Sequence, residues 1–143
     1  MAKEHSVMQF LDYKIEKIDY RMNREFDFKT ESNINMEQTM GLEIQVVSDE
    51  MFVVKLEANI HGGAGVSAPF TLDVSILGSF RMENWQKTRE SQNIAKYNAP
   101  AILLPYLRST ITNITSTANI SPYILPTFNI YELFENGDNS KND

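Results

Sequence analysis

Cysteine is absent from this chain of 143 residues, which excludes disulfide bridges, thiolate metal sites and a cysteine nucleophile together. Basic residues are also scarce, because 13 Lys and Arg stand against 19 Asp and Glu to give a net charge of -6. Phosphate backbones are bound by clustered Lys and Arg, so this balance argues against a nucleic-acid partner. It serves solubility most simply, and it leaves a basic protein partner open.

Long apolar runs are missing too. The N-terminal segment lacks the apolar core of a signal peptide, and no stretch approaches the roughly 20 residues that span a bilayer. We therefore expect a soluble cytoplasmic protein with no membrane insertion.

Signatures of catalysis and of cofactor binding are absent as well. The run His61-Gly62-Gly63-Ala64-Gly65 is glycine-rich, but no Lys-Ser or Lys-Thr pair follows it, so it predicts a flexible hairpin loop rather than a phosphate loop. The histidines His5 and His61 lie far apart, which disfavours a metal site. Ser, Thr, Asp and Glu are scattered without an adjacent catalytic base. We expect no enzyme, no metal and no cofactor.

Period-two alternation of apolar residues marks the strands. The runs 42–46, 52–60 and 70–82 alternate cleanly and are joined by short turns, which predicts an antiparallel meander with one apolar and one polar face. The segment 30–40 shows no period and predicts a crossing loop that contains Met36 and Met40. Methionines in such a loop can adapt to irregular apolar partners, although filling a local gap is their commoner role.

The first apolar segment changes phase along its length. Leu11, Tyr13 and Ile15 occupy odd positions, whereas the apolar residues from Ile18 to Phe28 occupy even ones. A β-bulge or bend near residues 16 and 17 would produce this shift within one long strand. Two strands with a break between them are the alternative.

A long helix is predicted after the sheet. Asn98 is suited to cap its first turn with Pro100 close behind, and residues 83–96 before it read as a loop or a weak helix. Pro105 should bend the first turns. Weak helix formers such as Thr115 occupy the polar face, so burial must hold the helix. One apolar stripe at helical spacing carries that burial: Leu103, Leu107, Ile111, Ile114 and Ala118.

The chain after residue 119 reads as an apolar arm and a second, short helix. Pro122 and Pro126 favour extended backbone on either side of Tyr123-Ile124-Leu125, and residues 129–134 carry a capping-box spacing from Asn129 to Glu132. The fold class is therefore α+β, a four-stranded antiparallel sheet followed by a long and a short C-terminal helix. We expect one domain over residues 1–135 and a disordered acidic tail over 136–143.

The region 98–134 resembles the SecB family of protein-export chaperones. Pro105-Tyr106-Leu107-Arg108 is similar to the proline-tyrosine-x-arginine core of the family's long helix, and residues 129–134 are similar to its asparagine-phenylalanine-x-x-leucine-phenylalanine helix. The resemblance implies an ATP-independent molecular chaperone. Such a protein binds unfolded polypeptides or preproteins and keeps them export-competent for the Sec translocase.

The resemblance also implies where partners bind. Family members hold unfolded segments in apolar grooves between sheet, crossing loop and second helix, which here implies a client-binding groove that includes Met36, Met40, Tyr123, Leu125 and Tyr131. Several aromatic residues fit this groove, although core filling is the simpler role for most of them. Subunits of the family pair through first strands and long helices, and two pairs stack into a homotetramer. Here that implies an oligomer interface with Leu107, Ile111 and Ile114.

The translocase motor SecA is a further candidate partner. Asp73 falls where the family has a motor-contacting glutamate, but Thr71 replaces the usual leucine, so we expect weak, salt-sensitive association or none. Three alternatives stay open: a SecB-like chaperone dedicated to one partner such as an antitoxin, a small-molecule-binding or enzymatic α+β domain, and a purely structural oligomer. In the second alternative the helices commonly precede the sheet, whereas here the long helix follows it.

Overall fold

The computed structural model of the chain describes residues 7–29, 36–63, 67–127, 130, 132 and 133. Its elements are, in chain order, strands β1 (Gln9–Met22), β2 (Met36–Val46), β3 (Met51–Gly62) and β4 (Phe70–Arg81), followed by helix α1 (Arg89–Thr117). The strands form one four-stranded antiparallel sheet in the order β1-β4-β3-β2. The predicted α+β class, with a helix after an antiparallel sheet, is confirmed.

The core lies between the sheet and α1. Along β3 and β4 buried side chains alternate with more exposed ones, as expected for a sheet covered on one face, and Ser75 is the one residue of the outer face that is also buried. Phe52, Leu56 and Ile60 of β3 and Leu72 and Ile76 of β4 are completely buried. The meander of β2, β3 and β4 is therefore confirmed, and β1 adds to its free side by pairing with β4.

Strand β1 is a single strand with two register shifts. One lies between Ile15 and Lys17, where the change of phase in the sequence predicted a bulge. The other lies between Phe10 and Asp12, and no change of phase in the sequence predicted it. The alternative of two separate strands is wrong, because pairing with β4 continues on both sides of each shift.

Strand β2 begins earlier than predicted. Residues 36–40 belong to it and pair with β3, so the prediction of a crossing loop for this part of the chain is wrong. The alternation had been hidden by Gln38, a polar residue that faces the core side of the sheet opposite Ile60. The part of the predicted loop from 30 to 35 lies outside the described residues.

Helix α1 also begins earlier than predicted. Thr88 is its N-cap and exchanges hydrogen bonds with Ser91, so Asn98 is an interior residue and not the cap. Both Pro100 and Pro105 lie inside the helix. The sequence signal failed because the first turns bury only small side chains, Ala95 and Ala99, which carry little apolar periodicity.

The buried stripe of α1 ends on a different residue than predicted. Leu103, Leu107 and Ile111 are fully buried, but Thr115 completes the row, while Ile114 is half-buried. The Thr115 hydroxyl donates to the Ile111 carbonyl oxygen at 3.0 Å, which satisfies its polar atom inside the core. The prediction that Thr115 lies on the polar face of the helix is therefore wrong.

The position of α1 over the sheet is fixed by a close contact with β4. The helix packs mainly on β3 and β4, and a Cβ atom built on Gly78 would lie 2.5 Å from one methyl carbon of Leu103.

The predicted arm after the helix is present as residues 121–127 without regular structure. Of the predicted second helix, only Ile130, Glu132 and Leu133 are described, and each is helical. The predicted tail 136–143 lies outside the described residues, as do Ala64 and Gly65 of the predicted glycine loop.

Candidate functional site

The core-facing side of β2 is apolar and only partly covered. We call this row of side chains the β2 flank; it consists of Met36, Gln38, Met40, Leu42, Ile44 and Val46. The β3 partners of Gln38 to Val46 are buried, and Gly62, the partner of Met36, is half-buried. The flank itself is half-buried, and Val46 is 52% exposed. Because β2 is an edge strand, the backbone groups on its outer side are also unpaired within the sheet. The flank combines apolar side chains with an open strand edge.

The arm, residues 121–127, lies along α1 beside this flank. Thr112 Oγ1 donates to the Tyr123 carbonyl oxygen at 3.1 Å, and the Tyr123 N–H donates to Thr115 Oγ1 at 2.8 Å. Further along, Arg108 Nε donates to the Leu125 carbonyl oxygen at 3.0 Å. The Leu125 side chain is fully buried in the core. Three hydrogen bonds and one buried side chain therefore hold the backbone of the arm on the helix.

Tyr123 connects the arm to the β2 flank. Its hydroxyl donates a hydrogen bond to Gln38 Oε1, and its ring stands edge-on to Phe70 with 6.5 Å between the centroids. Burial raises the pKa of the Tyr123 phenol above its usual value, so the hydroxyl keeps its proton in neutral solution and remains a donor. The hydrogen bond explains why a glutamine is accommodated in an otherwise apolar row.

A second apolar surface lies on the opposite edge of the sheet. We call it the β1 flank: the core-facing residues Ile18, Tyr20 and Met22, of which Ile18 is 50% and Met22 is 53% exposed. A pocket of about 480 Å³ separates this flank from the C-terminal half of α1. Its lining residues are Tyr20, Thr110, Asn113, Ile114, Thr117 and Ala118.

The outer face of the sheet is polar and largely neutralised by its own charges. At the bulge, Lys17 Nζ lies 2.7 Å from Glu57 Oε1 and Lys55 Nζ lies 3.1 Å from Glu16 Oε1, so both pairs cross β4 to join β1 with β3. The small residue between them, Ser75, donates to Glu16 Oε1 at 2.9 Å. This hydrogen bond and the Lys55 ammonium hold the pKa of Glu16 below its usual value.

The predicted motor contacts lie on the same face. Asp73 is half-buried and accepts a hydrogen bond from Asn59 Nδ2 at 2.7 Å, whereas Thr71 is exposed. Further ion pairs, Arg21 with Asp19 and Lys14 with Asp12, leave this face with a mixture of both signs of charge rather than a continuous acidic surface.

The described parts of the chain contain no group of His, Asp and Glu side chains arranged to hold a metal ion. Within the same residues, every buried polar side-chain atom has a hydrogen-bond partner. Helix α1, the one long helix among them, is too polar to cross a membrane.

Comparison with known proteins places the chain in a family. The family model described as preprotein translocase subunit SecB matches residues 20–141. The chain belongs to the SecB family. This family is one of chaperones, and the membership confirms the resemblance that the helix motifs indicated.

Individual relatives of this SecB-family chain are distant. An uncharacterized protein of Methanocaldococcus jannaschii is 29% identical over 146 residues, covering 99% of this chain and 92% of that protein. The protein-export protein SecB of Anaplasma phagocytophilum is 30% identical over 98 residues, covering 64% of this chain and 62% of that SecB. A solved SecB-like chaperone of Mycobacterium tuberculosis, in complex with a peptide from the HigA1 antitoxin, superposes with a TM-score of 0.65 at 14% identity, covering 85% of this chain and 88% of that one.

The structure places three of the five residues predicted for the groove near one another. Met36 and Met40 lie on either side of Gln38 on β2, and Tyr123 is hydrogen-bonded to Gln38. Leu125 contributes to the core, and Tyr131 lies outside the described residues. Of the expected interface residues, Leu107 and Ile111 have no accessible surface in the single chain, and only Ile114 reaches a pocket. Sequence reasoning missed Gln38, Ile44 and Val46. Alternation assigned Ile44 and Val46 to the apolar face. It does not predict their exposure, because exposure depends on how much of that face the helix covers.

Proposed function

We propose that this protein is an ATP-independent chaperone that binds unfolded polypeptides along the β2 flank and catalyses no reaction. The observation that carries the proposal is the half-open apolar row on an edge strand. Monomeric proteins rarely leave a contiguous apolar row uncovered, so a partner surface is the physical explanation. Membership of the SecB family supports the same function.

The chemistry of the flank suits clients without a fixed sequence. Met36 and Met40 have unbranched, polarizable side chains that adjust to irregular apolar partners. The free edge of β2 offers backbone donors and acceptors to any extended segment, and alternate side chains of that segment would face the flank. A native protein, whose backbone groups are already paired, has little to gain from such an edge.

Service to the Sec translocase is the form of this function that the curated SecB relatives support. We propose that the protein works in the cytoplasm and that any docking of the motor SecA at Asp73 and Thr71 is weak and lost in salt. The ion pairs around the bulge support this expectation, since they neutralise much of the acidic charge that a basic segment would meet. Calorimetric titration with a basic motor segment measures the affinity, and tight binding that persists in salt would contradict the proposal.

A chaperone dedicated to one partner is the second candidate. The M. tuberculosis neighbour supports it, because that SecB-like chaperone was solved with an antitoxin peptide. A dedicated chaperone should hold one client far more tightly than any other. A panel of unrelated unfolded clients bound with similar affinities would count against it.

We also propose a homotetramer in which the β1 flank is covered by a second copy. Ile18 and Met22 are exposed apolar residues on an edge strand, and the pocket at Ile114 lies directly beside them. The predicted role of Leu107 and Ile111 is then indirect, since these core residues would shape the helix surface that meets the partner.

A refolding assay tests the chaperone function. The full-length protein, added to a slowly refolding client, should delay refolding in proportion to its concentration, and it should not bind the native client. Val46→Asp places a charge on the β2 flank and should weaken this effect. Val47→Asp is the matched control, because Val47 is 57% exposed, against 52% for Val46, but lies just beyond the strand. No delay with several clients, or equal effects of the two substitutions, would contradict the proposed site.

A further inference from the structure

Gln38 is the one polar side chain in the β2 flank, and Tyr123 is its partner. The flank reads Met36, Gln38, Met40, Leu42, Ile44 and Val46, so Gln38 separates the two methionines from each other. A glutamine amide on an apolar face is costly unless it is hydrogen-bonded, and here the Tyr123 hydroxyl supplies the bond to Oε1. The pair joins the arm to the strand at the level of Met36 and Met40.

The arm cannot open here by moving its backbone. Thr112, Thr115 and Arg108 bond the backbone of residues 123 and 125, and the Leu125 side chain is fully buried. Lifting the arm would break all of these contacts together. The Tyr123 side chain has less to lose, because rotation about its own bonds breaks the hydrogen bond to Gln38, the edge contact with Phe70 and part of its packing on the core, but none of the backbone contacts of the arm.

We propose that the Tyr123 side chain is a clasp that closes the Met36–Met40 section of the β2 flank through its hydrogen bond to Gln38, and that an unfolded client binds there when the clasp opens. This inference rests on the proposed chaperone function and adds its control of access. Among the described residues, no hydrogen bond joins the arm to the remaining section, from Leu42 to Val46. Gln38 and Tyr123 are thus positioning residues for client binding.

The clasp predicts a defined change in accessibility. Loss of one neutral hydrogen bond shifts an equilibrium by about two- to tenfold, so removing either partner should raise the open fraction by that factor. A client that binds only the open form should then bind more tightly by the same factor, since its apparent affinity scales with the competent fraction. Tyr123→Phe removes the donor and keeps the ring, while Gln38→Leu removes the acceptor and keeps the bulk.

Methionine oxidation measures the open fraction without any client. Hydrogen peroxide oxidation, followed residue by residue with peptide mass spectrometry, should be slow at Met36 and Met40 in the native protein and about two- to tenfold faster in either variant. Two methionines of the same chain are internal controls: Met22, which is 53% exposed, and Met82, which is 1% exposed. Their rates should not change, and a rise at Met82 would identify general unfolding instead of an open clasp.

Client affinity is the second measurement. Both single variants should bind an unfolded client more tightly than the native protein, and the double variant should match the singles, because one shared bond is removed in each case. Unchanged oxidation of Met36 and Met40 in both variants would overturn the clasp. Faster oxidation without tighter client binding would overturn its role in access. If the native protein binds no client, the proposed function fails, and the oxidation rates still decide whether the clasp exists.

Discussion

Replacement of Gly78 by alanine should loosen helix α1 from the sheet. The added Cβ would lie 2.5 and 2.8 Å from the two methyl carbons of Leu103 and 2.9 Å from a ring carbon of Phe80. Carbon atoms pack at about 3.5–4.0 Å, so these neighbours overlap deeply with the new methyl group. Both neighbours are fully buried, and because protein cores are close-packed they can retreat only by displacing other side chains. The helix or the side chains must therefore shift.

The cost follows from two opposing effects. Overpacking a well-filled core destabilises by about 1–3 kcal/mol. Replacing glycine by alanine also restricts the unfolded chain, which stabilises the fold by about 0.4–1 kcal/mol. The clash is the larger effect, and we expect Gly78→Ala to lower the free energy of unfolding by about 1–2 kcal/mol. Urea unfolding at matched protein concentrations, followed by circular dichroism, measures the difference.

Gly41→Ala is the matched control. Gly41 also lies within a strand, but its added Cβ would meet only the Glu57 Cβ at 4.0 Å, an ordinary contact. The entropic effect then acts alone, and the variant should be as stable as the native protein or more so. The double variant Gly78→Ala/Leu103→Val gives a second check. Leu103→Val removes the two clashing methyl carbons, so it should restore part of the stability that Gly78→Ala loses. If Gly78→Ala is no less stable than Gly41→Ala, the close packing of α1 on β4 is wrong.

Two further predictions concern the outer face and the β1 flank. Ser75→Ala removes the main cause of the lowered pKa of Glu16, so in a carbon-detected NMR titration this pKa should rise toward its ordinary 4.5, while Asp12, lowered mainly by Lys14, stays unchanged. A lowered pKa stabilises the fold above pH 4.5, and this contribution is lost as the pH falls through the pKa of Glu16. Ser75→Ala should therefore make the free energy of unfolding less sensitive to acid in that window. A Glu16 pKa that does not rise in Ser75→Ala would show that the hydrogen bond does not form. Ile114→Asp, which charges the pocket beside the β1 flank, should reduce the tetramer to smaller species in light scattering, whereas Val47→Asp, with the same charge change elsewhere, should leave it intact; a native protein that is already monomeric would refute the assembly.

The sheet was predictable where side-chain alternation was clean. From Phe52 to Ile60 every second residue is apolar, with Val53 as the one apolar residue between them, and this run is β3, one of the two central strands. The start of β2 was missed because Gln38 interrupts the apolar face, and the reason it does so lies in Tyr123, which is 85 residues away in the chain. A local sequence pattern cannot predict a contact with a residue so far away in the chain. The bulge at residues 15–17 was predictable because a bulge leaves its own trace, a change of phase.

The helix shows a different limit of sequence reasoning. Its middle was predictable from Leu103, Leu107 and Ile111, whereas its first turns bury Ala95 and Ala99, whose small side chains give no stripe. Its last buried position is Thr115, whose hydroxyl is satisfied by the helix and the arm together. For the candidate site, the family resemblance assigned Met36, Met40 and Tyr123 to one groove, and the structure places Tyr123 against Gln38, between the two methionines. The degree of exposure could not be predicted, because it depends on where the helix lies across the sheet.

The width of one helix accounts for the two exposed flanks. Four strands about 4.8 Å apart make a sheet about 15–19 Å wide, while a helix with its side chains is about 10–12 Å across. A helix centred on β3 and β4, as α1 is, therefore leaves β2 and β1 uncovered on either side.

The two flanks differ in one respect. On the β2 side, the Tyr123 side chain covers the Met36–Met40 section, and this clasp can open while the backbone of the arm stays bonded to α1. On the β1 side, Ile18 and Met22 have no such cover among the described residues and remain half-exposed. A flank with one section behind such a clasp can regulate its own exposure to clients, whereas no part of the β1 flank is covered in this way. We therefore expect the β1 flank to hold subunits together and the β2 flank to exchange clients, and a variant such as Ile114→Asp should change assembly before it changes the oxidation of Met36 and Met40.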